Sequence, residues 1–232
     1  MLVLVSVSVE TVPDALLLTD SHAVSDLSVF LGRALRLTPD AVRLAATEGV
    51  LTVTVPVLVP KGILDRSPTV LGMRAMREHS GARSDRVVDV RAVTERIARP
   101  AQLTEDGHVL LRLPDAEQHV SWAGTVVPRG DWRLLDELPA AVVARVATDG
   151  IAAVATALPQ SPGEAVVDRV RAEVWAPADD RLGGAPAAAA LAADSLGFIP
   201  DEAETLRLFG SGRWLRLSSR AGHVLVRHAP GA

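Results

Sequence analysis

Valines occupy every second position from Val3 to Val9, with serines at two of the positions between them. This alternation is typical of a strand that turns one face to the core. The segment has neither the basic residues nor the small-residue cleavage site of a signal peptide, so we interpret it as the first strand. Behind Asp20 or Ser21, apolar residues recur three or four positions apart from Val24 to Leu35, which predicts a capped helix.

The rest of the N-terminal half mixes strand and helix patterns. Pro56 lies inside the apolar run 50–59 and predicts a strand at a sheet edge or a bulge, because proline cannot donate a ladder hydrogen bond. The pattern predicts strands over 42–44, 50–59, 69–78, 87–90 and 109–113, with a helix over 91–99.

Residues 114–138 are rich in proline, glycine and charge and have the least regular pattern, so a boundary between two lobes would fall there. Pro139 then begins a helix, and its predicted apolar face comprises Val143, Ala147, Ile151, Val154 and Leu158. The pattern further predicts a strand over 166–175, a helix over 185–196 that ends at Gly197, and strands over 205–209, 213–218 and 223–228.

These elements predict an α+β fold of two packed lobes, each mainly antiparallel sheet with helices, and a three-stranded meander at the C-terminus. The chain has 232 residues. That length suits an N-terminal lobe over 1–120 and a C-terminal lobe over 121–232, or one continuous domain.

The composition narrows the classes of chemistry. The chain has no cysteine, which excludes disulfides, thiolate metal sites, iron–sulfur clusters and cysteine nucleophiles. No apolar run reaches the ~18 residues of a membrane span. We therefore expect a cytoplasmic protein without a membrane partner.

Catalytic and cofactor motifs are missing from the sequence. The six histidines show no metal-ligand spacing, and no glycine-rich phosphate loop follows a strand. Ser195 lies in a segment that resembles a degenerate nucleophile elbow, but a helix end explains that segment better. We predict no catalytic, cofactor-binding or metal-binding residue and no cofactor. An enzyme site assembled from distant residues stays open as an alternative.

Positive charge is concentrated in two segments. Residues 61–100 contain nine basic and five acidic residues, and residues 205–232 contain five arginines and no acid. If both segments lay on one face, that face would attract an anionic ligand or a nucleic acid. The residues predicted to form a ligand or partner surface are Trp122, Arg129, Trp132, Arg213, Trp214 and Arg216.

Two alternatives to a binding surface follow from the same residues. Trp214 and Arg216 share one face of a predicted strand, so Trp214 could cap the core with Arg216 lying over its ring. Trp122 and Trp132 could pin the irregular connector onto the core instead of being exposed.

Two resemblances complete the sequence evidence. Three segments of the sequence are similar to an uncharacterised protein family of high-G+C bacteria, which has no assigned activity. These segments are Trp122-Ala-Gly, Pro128-Arg-Gly-Asp-Trp and Gly212-Arg-Trp-Leu-Arg-Leu. The N-terminal order of strand, helix, several strands, helix and strand is similar to the repeat of sliding-clamp proteins, which encircle DNA. The second half, as predicted, fits that repeat poorly.

The leading hypothesis is a non-catalytic binding or assembly protein that forms homo-oligomers, because active-site chemistry is absent and tryptophans lie in irregular segments. The alternatives are a binder of nucleic acid or another anionic ligand, and an enzyme with a dispersed site.

Overall fold

The structure is a computed structural model that describes residues 3–4, 15–37, 39–62, 65–81, 83–199, 201 and 204–229. The described residues form five α-helices and twelve strands. They divide into two compact units, the first drawn from residues 1–55 and 74–124 and the second from 56–73 and 125–232. Helices and mainly antiparallel strands confirm the α+β class.

The first unit contains two helices and the strands of two sheets. Its elements are β1 (Val3–Leu4), β2 (Ala15–Leu18), α1 (Ser21–Leu35), β3 (Ala41–Thr47), β6 (Ser84–Asp89), α2 (Val90–Ile97), β7 (Gln102–Leu103) and β8 (Val109–Arg112), with parts of β4 (Val50–Leu58) and β5 (Thr69–Arg77). The larger sheet has the order β6-β3-β4-β5 and the smaller one β1-β7-β8-β2. The rest of the predicted first strand lies outside the described residues.

Helix α1 follows the sequence prediction. The Asp20 carboxylate accepts a hydrogen bond from the Ala23 amide at 2.8 Å, which caps the helix as the pattern indicated. The helix buries Leu27, Phe30 and Leu31 on one face. A capped amphipathic helix is thus confirmed.

Strand β4 lies between β3 and β5, so the edge-strand alternative at Pro56 is wrong, and the alternative of a bulge there stays a prediction. The described pairing of β4 with β3 ends at Thr54. Pro56 therefore lies beyond the part of the strand where β3 would require its missing amide hydrogen.

The second unit continues from β5 through the C-terminal meander. Its remaining elements are β9 (Arg133–Pro139), α3 (Ala140–Ala157), α4 (Glu164–Trp175), α5 (Ala188–Leu196), β10 (Thr205–Ser211), β11 (Trp214–Ser219) and β12 (Gly222–Arg227). The strand order is β5-β12-β11-β10-β9. The predicted meander is confirmed, and β9 extends it with a strand that the sequence pattern did not reveal.

Residues 164–175 form helix α4, so the prediction of a strand there is wrong. Val166, Val170 and Val174 recur four positions apart, which suits a helix face as well as the β-branched residues suit a strand. Packing decides between them. A Cβ atom at Gly150 of α3 would lie 2.3 Å from the Trp175 ring, so the two helices approach closely at that glycine.

The buried face of α3 also differs from the prediction. Val143 and Ala147 are buried, but Ile151 is 48% exposed. Val146 and Gly150 take its place in the core. The C-terminal half of this helix leaves apolar surface uncovered within the described residues.

Candidate functional site

The sheet of the second unit has one closely packed face. Leu206, Leu208, Leu217 and Val224 are buried there. A Cβ atom at Gly222 would lie 2.4 Å from the ring of Phe198, which follows α5. Helix packing therefore closes this face.

The other face of the same strands carries arginine, histidine and aromatic side chains. Residues directly opposite each other on paired strands share a face. The register pairs Phe209 with Arg216, Arg207 with Ser218, and Ser218 with His223. We call this surface the arginine face, and its polar and aromatic members are Arg207, Phe209, Arg216, His223 and Arg227 together with Trp132, whose ring covers Arg216. The same face also carries the buried residues Trp214, Ser218 and Leu225.

Arg216 lies between two aromatic rings. Its Cζ atom is 4.5 Å from the ring centroid of Trp132 and 4.8 Å from that of Phe209. The Trp132 Nε1 donates a hydrogen bond to the Pro128 carbonyl at 3.1 Å, which fixes the indole. Cation–π contacts of this kind stabilise by about 0.5–2 kcal/mol each. The rings thus hold the guanidinium in one orientation.

The charge of Arg216 has no counterion among the described residues. Its guanidinium donates no hydrogen bond to them, and its buried Nε has no acceptor there. Burial, followed by repulsion from Arg207, lowers the pKa of Arg216. A buried donor without an acceptor costs about 1–3 kcal/mol, so this arrangement is locally destabilising.

His223 borders the arginine and shares its electrostatic surroundings. Its Nδ1 lies 2.9 Å from the Ser218 hydroxyl oxygen, within hydrogen-bond distance. Burial, followed by repulsion from Arg216, lowers the pKa of His223. The surroundings of His223 therefore favour its neutral form over its charged form.

Two domain models cover most of the chain. Residues 12–124 match the domain of unknown function DUF8010, and residues 127–231 match the domain of unknown function DUF8185. These matches confirm the resemblance to an uncharacterised family. No curated protein matches the sequence.

Solved structures resemble both units. The pol III β structure from Caulobacter crescentus has a TM-score of 0.50 and 10% identity, over 94% of this chain and 66% of that chain. The fold is similar to that of a bacterial sliding clamp. The sliding clamp from Bartonella birtlesii also matches, with a TM-score of 0.49 and 13% identity, over 94% of this chain and 66% of that chain. The clamp from Bacillus subtilis matches with a TM-score of 0.49 and 8% identity, over 94% of this chain and 65% of that chain. The chain therefore spans just under two thirds of the length of these clamp chains.

The clamp-like fold extends beyond the N-terminal half in which the sequence suggested it. The sequence pattern predicted no strand at β9 and a strand in place of α4. The match covers 94% of this chain and so includes its second half.

The predicted surface residues have different surroundings. Trp132 and Arg216 are in contact. Trp214 is buried on the same strand face, and Arg216 covers Trp132 and Phe209 rather than the Trp214 ring. Trp214 is thus buried, and the rings in contact with Arg216 are those of Trp132 and Phe209.

The other three predicted residues contribute less to this face. Trp122 is buried in a 3-10 turn of the first unit, which supports its role as an anchor for the connector. Arg129 is exposed on the segment before Trp132. The Arg213 guanidinium donates to the His228 carbonyl oxygen at 2.7 Å.

The sequence analysis missed Arg207, Phe209, His223 and Arg227 as members of the arginine face. The signal was available for these residues, because alternation along each strand of the predicted meander assigns them to one side. The contact of Trp132 with Arg216 left no such signal, because the two residues are far apart in sequence.

The basic segment 61–100 divides at residue 73 between the two units. Three of its arginines are neutralised by carboxylates, since Arg74 pairs with Asp26, Arg86 with Glu117 and Arg96 with Asp115. The local charge of this segment is thus smaller than its composition suggests.

In the described part of the chain, no group of three or more histidine, aspartate and glutamate side chains is arranged to hold a metal ion. Among the described helices, α3 is the one long and apolar enough to cross a membrane, with a mean hydropathy of 1.4. Only 22% of this helix is buried, and its buried residues pack within the second unit.

Proposed function

We propose that this protein is a non-catalytic assembly protein with a sliding-clamp-like fold, which forms homo-oligomers through the outer edge of β9. The observation that carries this proposal is the exposure of that edge strand. In the described part of the chain, β9 pairs with β10 on one side and with no strand on the other.

Strand β9 carries an exposed apolar pair beside the charged residues Arg133, Asp136 and Glu137. Every residue from Arg133 to Glu137 is exposed, and Leu134 and Leu135 are 53% and 56% exposed. Proteins commonly protect such edges with lysine, proline or a covering loop, because unpaired backbone groups pair with other chains. Two adjacent leucines instead favour association with a second strand.

The fold supports an assembly role that involves DNA. The similar structures are named as sliding clamps and β subunits of DNA polymerase III. We extend to this chain the idea of a subunit that assembles near DNA, in the cytoplasm. The low identity means that this extension rests on fold alone.

Sedimentation velocity over a range of concentrations tests the oligomer. We expect a species heavier than the 24.4 kDa single chain. Leu135→Lys should shift it toward the single chain, because the new charge opposes edge pairing while its aliphatic stem still covers Gly210. The matched control is Val126→Lys, at a valine that is 83% exposed outside any strand. A wild type that stays a single chain at all concentrations would contradict the proposal.

The arginine face supports a second candidate function, the binding of nucleic acid or another polyanion. Arg207, Arg216 and Arg227 have no carboxylate partner among the described residues. No acidic residue occurs between 205 and 232. Uncompensated guanidinium groups on one face attract phosphate.

Fluorescence anisotropy with a labelled single-stranded oligonucleotide tests this second function. Its affinity should fall steeply as salt rises, because arginines that neutralise phosphates release counterions. A protein that retains no oligonucleotide at low salt does not have this function.

A further inference from the structure

We infer that Arg227, Arg216 and Arg207 form a diagonal track for the phosphates of a single-stranded phosphodiester chain, which the protein holds without stacking its bases. This inference rests on the second candidate function above and specifies its ligand and its mode of recognition.

The register places the three arginines in a row across three strands. On β12, Arg227 lies opposite Trp214 of β11. Arg216 lies two residues after Trp214 on β11. Two residues further along β11, Ser218 lies opposite Arg207 of β10. Each step therefore crosses one strand and advances two residues. From standard strand spacings, successive Cα atoms in this row are about 8 Å apart. A chain of regularly spaced anions matches such a row better than a single carboxylate does.

Arginine guanidinium groups lie against the aromatic rings of the arginine face. The Arg216 guanidinium stacks against Trp132 and Phe209, and the Arg207 Cζ atom lies 5.9 Å from the Phe209 centroid. A ring face that carries a guanidinium cannot also carry a nucleobase. The rings therefore orient hydrogen-bond donors, and the donors recognise phosphate oxygens.

One donor on the arginine face, the buried Nε of Arg216, has no acceptor among the described residues, while the other guanidinium nitrogens are open to solvent. Arg207, Arg216 and Arg227 donate no side-chain hydrogen bond to any described residue. Arg216 is partly buried, where an acceptor matters most. Phosphate oxygens along a polyanion would satisfy all three side chains in turn.

The experiment compares three fluorescent probes of equal length by anisotropy at low salt: oligothymidylate, an abasic deoxyribose-phosphate strand and a polyglutamate peptide. We expect the abasic strand to bind within about twofold of oligothymidylate and polyglutamate to bind at least about tenfold more weakly. Arg216→Gln should weaken both strands about tenfold and reduce the salt slope by about one. Arg207→Gln and Arg227→Gln should each weaken both strands by a smaller factor.

The matched control is Arg145→Gln on the exposed surface of α3, which removes the same charge away from the arginine face. Thermal unfolding of each variant shows whether it is folded. Loss of binding on Arg145→Gln, with Arg216→Gln unaffected, would overturn the assignment.

The outcomes separate this inference from the function on which it rests. Tight oligothymidylate binding without abasic binding means recognition of bases, which overturns the inference and leaves nucleic-acid binding intact. Equal binding of polyglutamate means that the ligand is an acidic protein segment, which also overturns it. If none of the probes binds, the second candidate function itself fails.

Discussion

Partly buried arginines have opposite surroundings in the two units of this protein. In the first unit, the Arg43 guanidinium makes two hydrogen bonds of 2.6 and 2.7 Å to the Asp85 carboxylate and one to the Ala123 carbonyl oxygen. In the second unit, Arg216 lies between aromatic rings and has no acceptor among the described residues.

The difference separates an arginine that is satisfied within its own unit from one to which we assign a ligand in the proposal above. A carboxylate partner neutralises the charge and satisfies the donors, so Arg43 is complete within its own unit. Arg216 is held in place but left unsatisfied, and functional sites are where proteins tolerate such local cost. Charge composition alone does not separate the two cases.

The largest expected effect concerns the closed side of the sheet that carries the arginine face. Gly222→Ala should lower the free energy of unfolding by about 3 kcal/mol, because the new Cβ would lie 2.4 Å from the Phe198 ring. Urea denaturation measures the change. Gly32→Ala is the control, at a helix position with no atom within 4 Å of the new Cβ, and it should stabilise by about 1 kcal/mol. Tolerance of Gly222→Ala would mean that the two faces do not differ in packing.

The comparison of arginines predicts substitutions of opposite sign. Arg216→Met should raise the free energy of unfolding by up to about 1 kcal/mol, because it removes an unsatisfied buried donor, while sulfur–aromatic contacts of the methionine replace much of the two lost cation–π contacts. Arg43→Met should lower it by about 1 kcal/mol, because it breaks the pair with Asp85 and the bond to Ala123. Denaturant titrations of both variants provide the measurement, and destabilisation by both would remove the distinction.

The pH dependence of stability should contain a contribution from His223. Its pKa is lower in the folded protein than its ordinary value of 6.5, so the unfolded chain binds the proton more readily. Stability contributed by the neutral ring is complete above pH 6.5 and is lost as the pH falls through that value toward the lowered one. The stability of His223→Asn should therefore fall less over this range. If the unfolding free energy of His223→Asn changes with pH as steeply as that of wild type, His223 does not contribute to the pH dependence of stability.

The smallest expected effect is at an exposed ion pair. Arg169 and Glu173 lie one helical turn apart on α4, with 71% and 67% of their side-chain surfaces exposed. Arg169→Ala should change the unfolding free energy by less than about 0.5 kcal/mol, since solvent screens such pairs. A larger loss would mean that exposed pairing matters here as much as buried pairing.

Local sequence patterns predicted the elements whose ends and buried faces depend on residues near in sequence. The cap and apolar face of α1 and the glycine end of α5 follow their sequences, since Gly197 adopts the left-handed conformation that ends the helix. Strand β9 has no alternating pattern, because nearly all of its side chains are exposed, and its pairing with β10 determines its structure. The lobe boundary expected near residue 120 stays a prediction.

Part of the candidate site could be predicted from the sequence for the same reason. Alternation in the meander predicted that Trp214 and Arg216 share a face, and the register agrees. The partners of each arginine depend on contacts between distant segments, such as Arg43 with Asp85 and Arg216 with Trp132. One sequence contains no signal for such contacts.

Nuclear magnetic resonance of the arginine Nε–Hε groups tests the central claim most directly. The Arg216 signal can be assigned by its loss in Arg216→Lys, and those of Arg43, Arg207 and Arg227 by the same substitution. Titration with the abasic phosphodiester strand should shift the signals of Arg207, Arg216 and Arg227 and leave that of Arg43 unchanged. Shifts confined to other arginines, or no shift of Arg216 at saturating ligand, would contradict the claim.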